Sequence, residues 1–372
     1  VKKKNSSNYH ALSFVLEFPA NYDSVYLSLG FPYTYTRAQS LCRHVLDSPA
    51  KSRHVLSRRL CNSINGNEVQ YLIVTAQGAL TPKREKDTPR LHSKQKSIAQ
   101  EHSSSNENLH VSSSSKLITP IAEDDVRLLR GKQVFVVGAR VHPAEFPASF
   151  VMEDLLLRLV ADDKDAEQLR NDVAFVIVPM INVDGVVAGN ARCEVSGVDL
   201  NRVWAEPSKI LHPTIFYYKR LIKNLIAEEL NVRFFLDIHA HSKKFNAFIY
   251  ANPVLEHKAD NFVNMMQAHS DIFNVGDSTY SVHKSKEKSA RVVMCKELGI
   301  DNSFTLEISY VGANQGVCAF QQHSHATFSN IAAGVFKSIK EMSEKEDKAE
   351  PELKAAESEV QFVNVKSTST LE

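Results

Sequence analysis

QVFVVGARVHPAEFPASFVMEDLLLRLV, residues Gln133 to Val160, reads as a buried strand, a tight loop and an amphipathic helix. The apolar run Val134–Val137 supplies the strand, and Pro147 with Ser149 suits a helix start. The loop between them carries His142 and Glu145, with two residues separating them. An imidazole and a carboxylate so placed can turn toward one divalent cation. With 15 His in the chain, about one HxxE arises by chance, so the motif alone decides little. Its placement decides more, because the pair falls at the carboxyl end of a strand, where open α/β sheets hold their ligands.

A chain of 372 residues with 43% hydrophobic content can bury a large core, as one big α/β domain or two smaller ones. A formal net charge of +1 gives no electrostatic case for nucleic acid or membrane as the principal partner. Five cysteines (Cys42, Cys61, Cys193, Cys295, Cys318) are odd in number and lack CxxC spacing, which suits core thiols in a reducing compartment. The opening VKKKNSSNYH has no apolar signal region, and no run approaches the roughly 18 apolar residues of a membrane span. A cytosolic location is therefore expected.

Along the chain, Tyr9–Phe18 and Asp23–Leu29 are expected as strands, Phe31–Thr36 (FPYTYT) as a structured turn, Arg37–Leu46 as a helix and Val69–Thr75 as a strand. From Thr81 to Lys116 the composition turns polar, with two serine runs, and an inserted loop without order is expected. Val173–Pro179, Val232–His239, Asn246–Tyr250 and Phe304–Ser309 read as further strands. Thr214–Glu229 reads as a helix with Phe216, Tyr217, Leu221 and Leu225 on one stripe, and Ser329–Met342 as the last helix. Ser343–Glu372, rich in Glu, Lys, Ala and Ser, is expected as a mobile tail. Alternating strands and helices imply one α/β domain, a mixed, largely parallel twisted sheet with helices on both faces.

A third metal ligand must come from far along the chain, and VRFFLDIHAHS, Val232–Ser242, is the best source. His239 and His241 end an apolar strand and project to the same side, so one of them is a candidate ligand. Asp237 and Asp199 are candidate carboxylates for the far nitrogen of a ligand His. Glu307 stands alone among apolar neighbours in FTLEIS, where a carboxylate is costly without a partner or a role, and this makes it a candidate base. Arg192 in GNARC and Asn201 with Arg202 in VDLNRVW fall in loops after the Val173–Pro179 strand, and a guanidinium beside an amide is well shaped to hold a carboxylate. Each residue alone also fits an ordinary salt bridge or loop hydrogen bond. Their coincidence carries the weight.

The segments FPYTYT, GARVHPAE, GNARC, DLNRVW, DIHAHS, SARVV and SFTLEISYVG, in that order over roughly Tyr9–Met342, resemble the zinc metallocarboxypeptidases related to carboxypeptidase A. Within that family they are most similar to the cytosolic carboxypeptidase subfamily. The resemblance implies one Zn2+ per chain, held by His142, Glu145 and His239, with His241 behind them. It implies Glu307 as general base, Arg192 as oxyanion stabiliser, and Asn201 with Arg202 as the clamp on the substrate's terminal carboxylate. Arg291, in SARVV, matches a basic residue lining the pocket for the terminal side chain. Ala144 and Ala240 stand where the family usually has Gly. Neither change removes a ligand, and alanine takes φ > 0 less cheaply than glycine. The family's catalytic tyrosine has two candidates, Tyr280 and Tyr310.

The same resemblance divides the chain into terminal strands of a mostly absent β-rich N-terminal domain (1–30), a catalytic domain (31–342) with the insert at 81–116, and the tail (343–372). The function it implies is removal of C-terminal or side-chain-linked glutamate from protein or peptide C-termini. Tubulin is the expected protein substrate, in the cytoplasm and in association with microtubules. Two rivals are a small-molecule zinc deacylase resembling the aspartoacylase type and a non-catalytic binding protein on the same fold. The long GNARC and SARVV segments favour the peptidase, and no ligand or base is missing.

Overall fold

A computed structural model describes residues 13–18, 20–21, 24–25, 27–28, 30–76, 121–258 and 261–345. The chain divides after Pro32 into two units. In the first, the described residues form neither helix nor strand, and Ser28 Oγ donates to the Gly30 carbonyl at 2.7 Å. The strands expected at Tyr9–Phe18 and Asp23–Leu29 are therefore not formed over their described residues. A strand has no stability without a ladder partner, and none pairs with them among the described residues. The insert at 81–116 lies outside the described residues.

The second unit opens with α1 (Tyr35–Asp47), α2 (Pro49–Ser52) and the strands β1 (Val55–Asn62) and β2 (Glu68–Val74). Next come α3 (Glu123–Leu129), β3 (Gln133–Ala139), α4 (Phe146–Leu159), α5 (Lys164–Asp172), β4 (Val173–Val178), α6 (Val183–Ala188) and α7 (Pro213–Ala227). The remainder is β5 (Asn231–His241), β6 (Ala247–Tyr250), α8 (Phe262–His269), α9 (Ala290–Leu298), β7 (Asn302–Ser309), the short pair β8 (Gly312–Ala313) and β9 (Gln321–Gln322), and α10 (325–345). Thr34 caps α1 by accepting from Arg37 N at 3.1 Å, which starts that helix inside the expected FPYTYT turn.

Seven strands form one sheet in the order β1-β2-β4-β3-β5-β7-β6. The pairings β3–β4, β3–β5 and β5–β7 are parallel, while β1–β2, β2–β4 and β6–β7 are antiparallel. Every residue of β3 and β4 is buried, which is why those strands read as unbroken apolar runs and not as alternating patterns. Successive residues of β5 address opposite faces: Phe235 meets Tyr218 of α7, and Phe234 meets Phe262 of α8 with ring centroids 5.0 Å apart. Helices thus cover both faces, and the fold is the α/β class with a mixed sheet. From β3 the chain passes to β4 on one side and then to β5 on the other, so the strand order reverses between β3 and β5. A crevice opens at such a point beyond the carboxyl ends of the two strands.

Several details depart from the sequence reading. The buried stripe of α7 is Ile215, Tyr218, Leu221, Ile222 and Leu225, while Phe216 and Tyr217 are half-buried and meet edge to face. Leu221 and Leu225 are buried as expected, and Ile215 and Tyr218 take the places expected for Phe216 and Tyr217. Ser343, expected to open the mobile tail, lies inside α10, and residues 346–372 are outside the described set. The core thiols are Cys42 and Cys61 only. Cys193, Cys295 and Cys318 are half-exposed, and all five are free. Among the described residues no helix is long and apolar enough to cross a membrane.

Gly138, near the end of β3, is a packing requirement: a Cβ there would sit 2.9 Å from Tyr218 Oη and 3.0 Å from Ile181 Cδ1. Both neighbours are fully buried and cannot retreat freely. Gly138→Ala is expected to lose about 1–3 kcal/mol, read as a lower urea midpoint with an unchanged m-value. An unchanged midpoint would mean that Tyr218 shifts at no cost.

Candidate metal centre and cleft

The loop after β3 is held by its first residue. Arg140 adopts φ 64, unusual for a non-glycine residue, and is almost fully buried. From there its Nε donates to Pro143 O at 2.7 Å and its Nη1 to Ser149 Oγ at 2.8 Å, bracing the loop against the start of α4. Ala144 N donates to Ala191 O at 3.1 Å, which ties the loop to the segment carrying Arg192. Ala144 and Ala240 are absent from the residues with positive φ, so neither position needs the family's glycine. Gly185 of α6 does need to be small, since a Cβ would lie 2.4 Å from Pro143 Cγ.

This brings His142, Glu145 and His239 together, with ligand atoms all within 4.8 Å of one another and all three side chains buried. The two Nδ1 atoms are 3.2 Å apart. Glu145 Oε1 lies 2.7 Å from His142 Nδ1, and its Oε2 lies 3.0 Å from His239 Nδ1 while accepting from Ala240 N at 3.0 Å. The outer nitrogens are taken by carboxylates: His142 Nε2 is 3.1 Å from Asp199 Oδ1, and His239 Nε2 is 2.7 Å from Asp237 Oδ2. With each Nε2–H donated outward, both Nδ1 lone pairs point inward beside a carboxylate, a two-nitrogen, one-carboxylate donor set that fits one Zn2+. His241 is excluded. Its Nδ1 accepts from Lys243 N and Lys244 N at 3.1 and 3.2 Å, and so it closes the turn after β5.

The electrostatics agree with a cation at this point. Burial opposes charge on Glu145, yet His239 and His142 hold it well below the usual carboxylate range. Asp199 is likewise held low against burial by His142, Arg192 and Arg202. Burial also opposes charge on His239, but Asp237 and Glu145 outweigh it and raise the imidazole well above its ordinary value. The surrounding carboxylates thus favour positive charge between the donors.

The remaining candidates line the crevice. Glu307 of β7 stands in register with His239 and is half-buried, although its strand neighbours on either side are buried. Among the described residues its carboxylate accepts no hydrogen bond. Burial pushes it up to about 8, with His239 pulling it down and Glu145 pushing it further up. Arg192 places Nε and Nη2 each 2.9 Å from Asp199 Oδ2, so one carboxylate joins Arg192 to His142. Asn201 Oδ1 accepts from Ala290 N at 2.9 Å, which fixes the amide and sets its Nδ2 3.3 Å from His239 Nε2. That nitrogen already gives its proton to Asp237, so the Asn201 amino group has no acceptor there and remains available to a ligand. Arg202 Nη1 donates to Asn201 O at 2.8 Å and lies 4.0 Å from Asp199.

Arg291 lies in the first turn of α9, whose Ala290 is the residue bound to Asn201. It is 4% exposed and donates from Nη1 to Ala251 O and Asn252 Oδ1, with no carboxylate partner among the described residues. Tyr310 follows β7, packs 5.6 Å from Phe146 and donates from its backbone N to His241 O at 3.1 Å; burial and then Glu145 push its phenol pKa up. Tyr280 is committed elsewhere, its hydroxyl accepting from Asn261 Nδ2 at 2.9 Å. Two residues escaped the sequence reading. Arg140 precedes the motif, and only its backbone angle reveals the role. Lys286 is an exposed residue in the field of Arg202, Arg192, Glu307 and Asp199, with partial desolvation and then the two arginines lowering its pKa, and the basic run KSKEKSAR was its one signal.

Zinc must displace the proton on His239. The zinc affinity of the metal-free protein is therefore expected to rise with pH through the neutral range, with about one proton released per ion, measured calorimetrically in buffers of different ionisation heat. A pH-independent affinity would remove the imidazoles from the ligand set.

Comparison with known proteins extends the geometry. Residues 50–327 match the zinc carboxypeptidase family. Cytosolic carboxypeptidase 2 of Danio rerio is 32% identical over 315 residues, 82% of this chain and 37% of that protein. Cytosolic carboxypeptidase 4 of Homo sapiens is 32% identical over 329 residues, 83% of this chain and 26% of that protein. The chain thus spans 26–37% of the length of these two relatives. Among solved structures, a metallo-carboxypeptidase from Burkholderia cenocepacia matches with a TM-score of 0.60 at 20% identity, over 84% of this chain and 70% of that one. The carboxypeptidase A from Helicoverpa armigera matches with a TM-score of 0.53 at 14% identity, over 88% and 76%. At those identities the structures speak for the fold alone. The family match spans the HxxE loop, His239 and Glu307, the residues that converge in the crevice, and the chain belongs to the zinc carboxypeptidase family.

Proposed function

We propose that this chain carries the active site of a zinc carboxypeptidase that removes C-terminal or side-chain-linked glutamate from proteins, tubulin among them. The observation that carries the reading is Glu307, an unengaged carboxylate in register with His239 and open to the crevice where the donor set converges. His142, Glu145 and His239 would hold a zinc ion, which would supply the Lewis acidity for a peptide carbonyl and a water. Glu307 takes the proton from the attacking water and hands it to the leaving amine. Arg192, anchored on Asp199 through Nε and Nη2, keeps Nη1 for the carbonyl oxygen as charge develops. The Asn201 amino group and Arg202 hold the substrate's terminal carboxylate.

Glutamate as the terminal residue is supported by the unpaired cations. Burial pushes the Arg291 guanidinium down to about 10, a cost that an incoming side-chain carboxylate would relieve. Lys286 adds positive potential on the same side. Tubulin, the cytoplasm and microtubule association rest on similarity to proteins named cytosolic carboxypeptidases.

Two variants test the reading. Glu307→Gln is expected to keep near-stoichiometric zinc and lose about 10²–10⁴-fold in peptidase turnover. Parent-like turnover would show that the base lies elsewhere, and activity confined to N-acyl amino acids would favour a deacylase. The parent is also expected to prefer C-terminal Glu over Leu or Phe. Arg291→Ala should lower kcat/KM for Glu by roughly 30-fold to several-thousand-fold and for Leu far less, since about 2–5 kcal/mol goes with one partner of a buried pair. Equal losses on both substrates, with zinc content intact, would show that Arg291 does not read the side chain.

A further inference from the structure

Behind the metal ligands lies a group of polar atoms that the reaction does not use. Asp237, Tyr218 and Trp204 are fully buried, and Asp237 Oδ1, Tyr218 Oη and Trp204 Nε1 each lack a hydrogen-bond partner among the described residues. They share one face of the sheet. Strand alternation puts Phe235, Asp237 and His239 on the same side of β5. Tyr218 packs on Phe235 at 6.2 Å, and Trp204 packs on Tyr218 at 5.5 Å and on Phe235 at 6.1 Å. The Tyr218 hydroxyl is located more closely by Gly138, whose missing Cβ would lie 2.9 Å from it. Gly138 is the register partner of Asp237, one strand spacing away, about 4.8 Å. The hydroxyl therefore stands over the neighbouring strand position, beside the carboxylate whose other oxygen holds His239.

We infer that Tyr218 is a positioning residue for the metal ligand His239: its hydroxyl donates, directly or across one water, to Asp237 Oδ1. The inference rests on the zinc reading of the site. A carboxylate anchored by only one oxygen can swing about its Cβ–Cγ bond, and the imidazole it orients swings with it. A second donor pins the carboxylate plane. His239 Nδ1 is then aimed at the metal, and its Nε2–H acceptor is fixed. Retaining Tyr instead of Phe in this apolar layer has a physical reason on this account, because an unpartnered buried hydroxyl is costly. Burial and then Asp237 push the phenol pKa well up, so Tyr218 stays protonated and able to donate.

The test is zinc affinity, measured by competition with a chromophoric chelator on the folded, metal-stripped chain and three variants. Tyr218→Phe should weaken zinc binding about 10-fold, the lower end of what outer partners of a metal ligand contribute. It should keep a parent-like circular dichroism spectrum. In the Asp237→Asn background the same substitution should change affinity less than about 2-fold, because the acceptor it serves has been altered. A parent-like affinity for Tyr218→Phe overturns the inference, and so does an undiminished 10-fold loss in the Asp237→Asn background, which would mark general loosening of the core. If the parent itself takes up no zinc, the reading of the site fails, and that result is distinct from either of the others.

Discussion

Everything at this site depends on two buried imidazoles whose outer nitrogens are held by carboxylates. Asp199 fixes His142 and Asp237 fixes His239, and only with both in place do the two Nδ1 lone pairs face each other across Glu145. Buried charges of this kind are tolerable only when every member has a partner. Asp199 shows how tightly the set is coupled. It accepts from His142 and from Asn201 N, pairs with Arg192 and lies near Arg202, so one carboxylate orients a metal ligand and steadies the groups expected to meet the substrate.

The sheet makes that arrangement affordable. The parallel strands β3 and β5 bury long apolar runs against helices on both faces, and the burial needed to hold them is spread over many residues away from the crevice. Polar groups are concentrated where the strands end. The reversal of strand order between β3 and β5 leaves room there for the HxxE loop, the end of β5 and the exit of β7. Chemistry and stability are thus drawn from different ends of the same strands.

Much of this was legible in the sequence. The HxxE loop, the histidine-ended strand and the solitary Glu307 are local patterns whose neighbours are also their neighbours in space, and the unbroken apolar runs marked the central strands directly. The first turn of the α7 stripe was not legible, because Phe216 and Tyr217 are aromatic yet only half-buried, and composition cannot tell a half-exposed aromatic from a core one. The strand β1 was missed because its Arg58 and Arg59 look polar. Arg58 is nevertheless paired with the buried Asp125 at 2.8 Å, a partner far along the chain that no local reading can supply. Spacing alone left His239 and His241 as equals, and the family resemblance chose His239; the turn after β5, whose amides occupy the His241 ring, gives the physical reason.

Arg140 illustrates a conflict between backbone preference and side-chain bonding. Its left-handed backbone is one that glycine would adopt with less strain, so exchange to glycine relieves local strain. The same exchange removes the guanidinium that braces Pro143 and Ser149 and leaves the HxxE loop free to wander. Backbone preference alone would place glycine at 140, whereas the two hydrogen bonds of a buried guanidinium and the position of the HxxE loop require arginine.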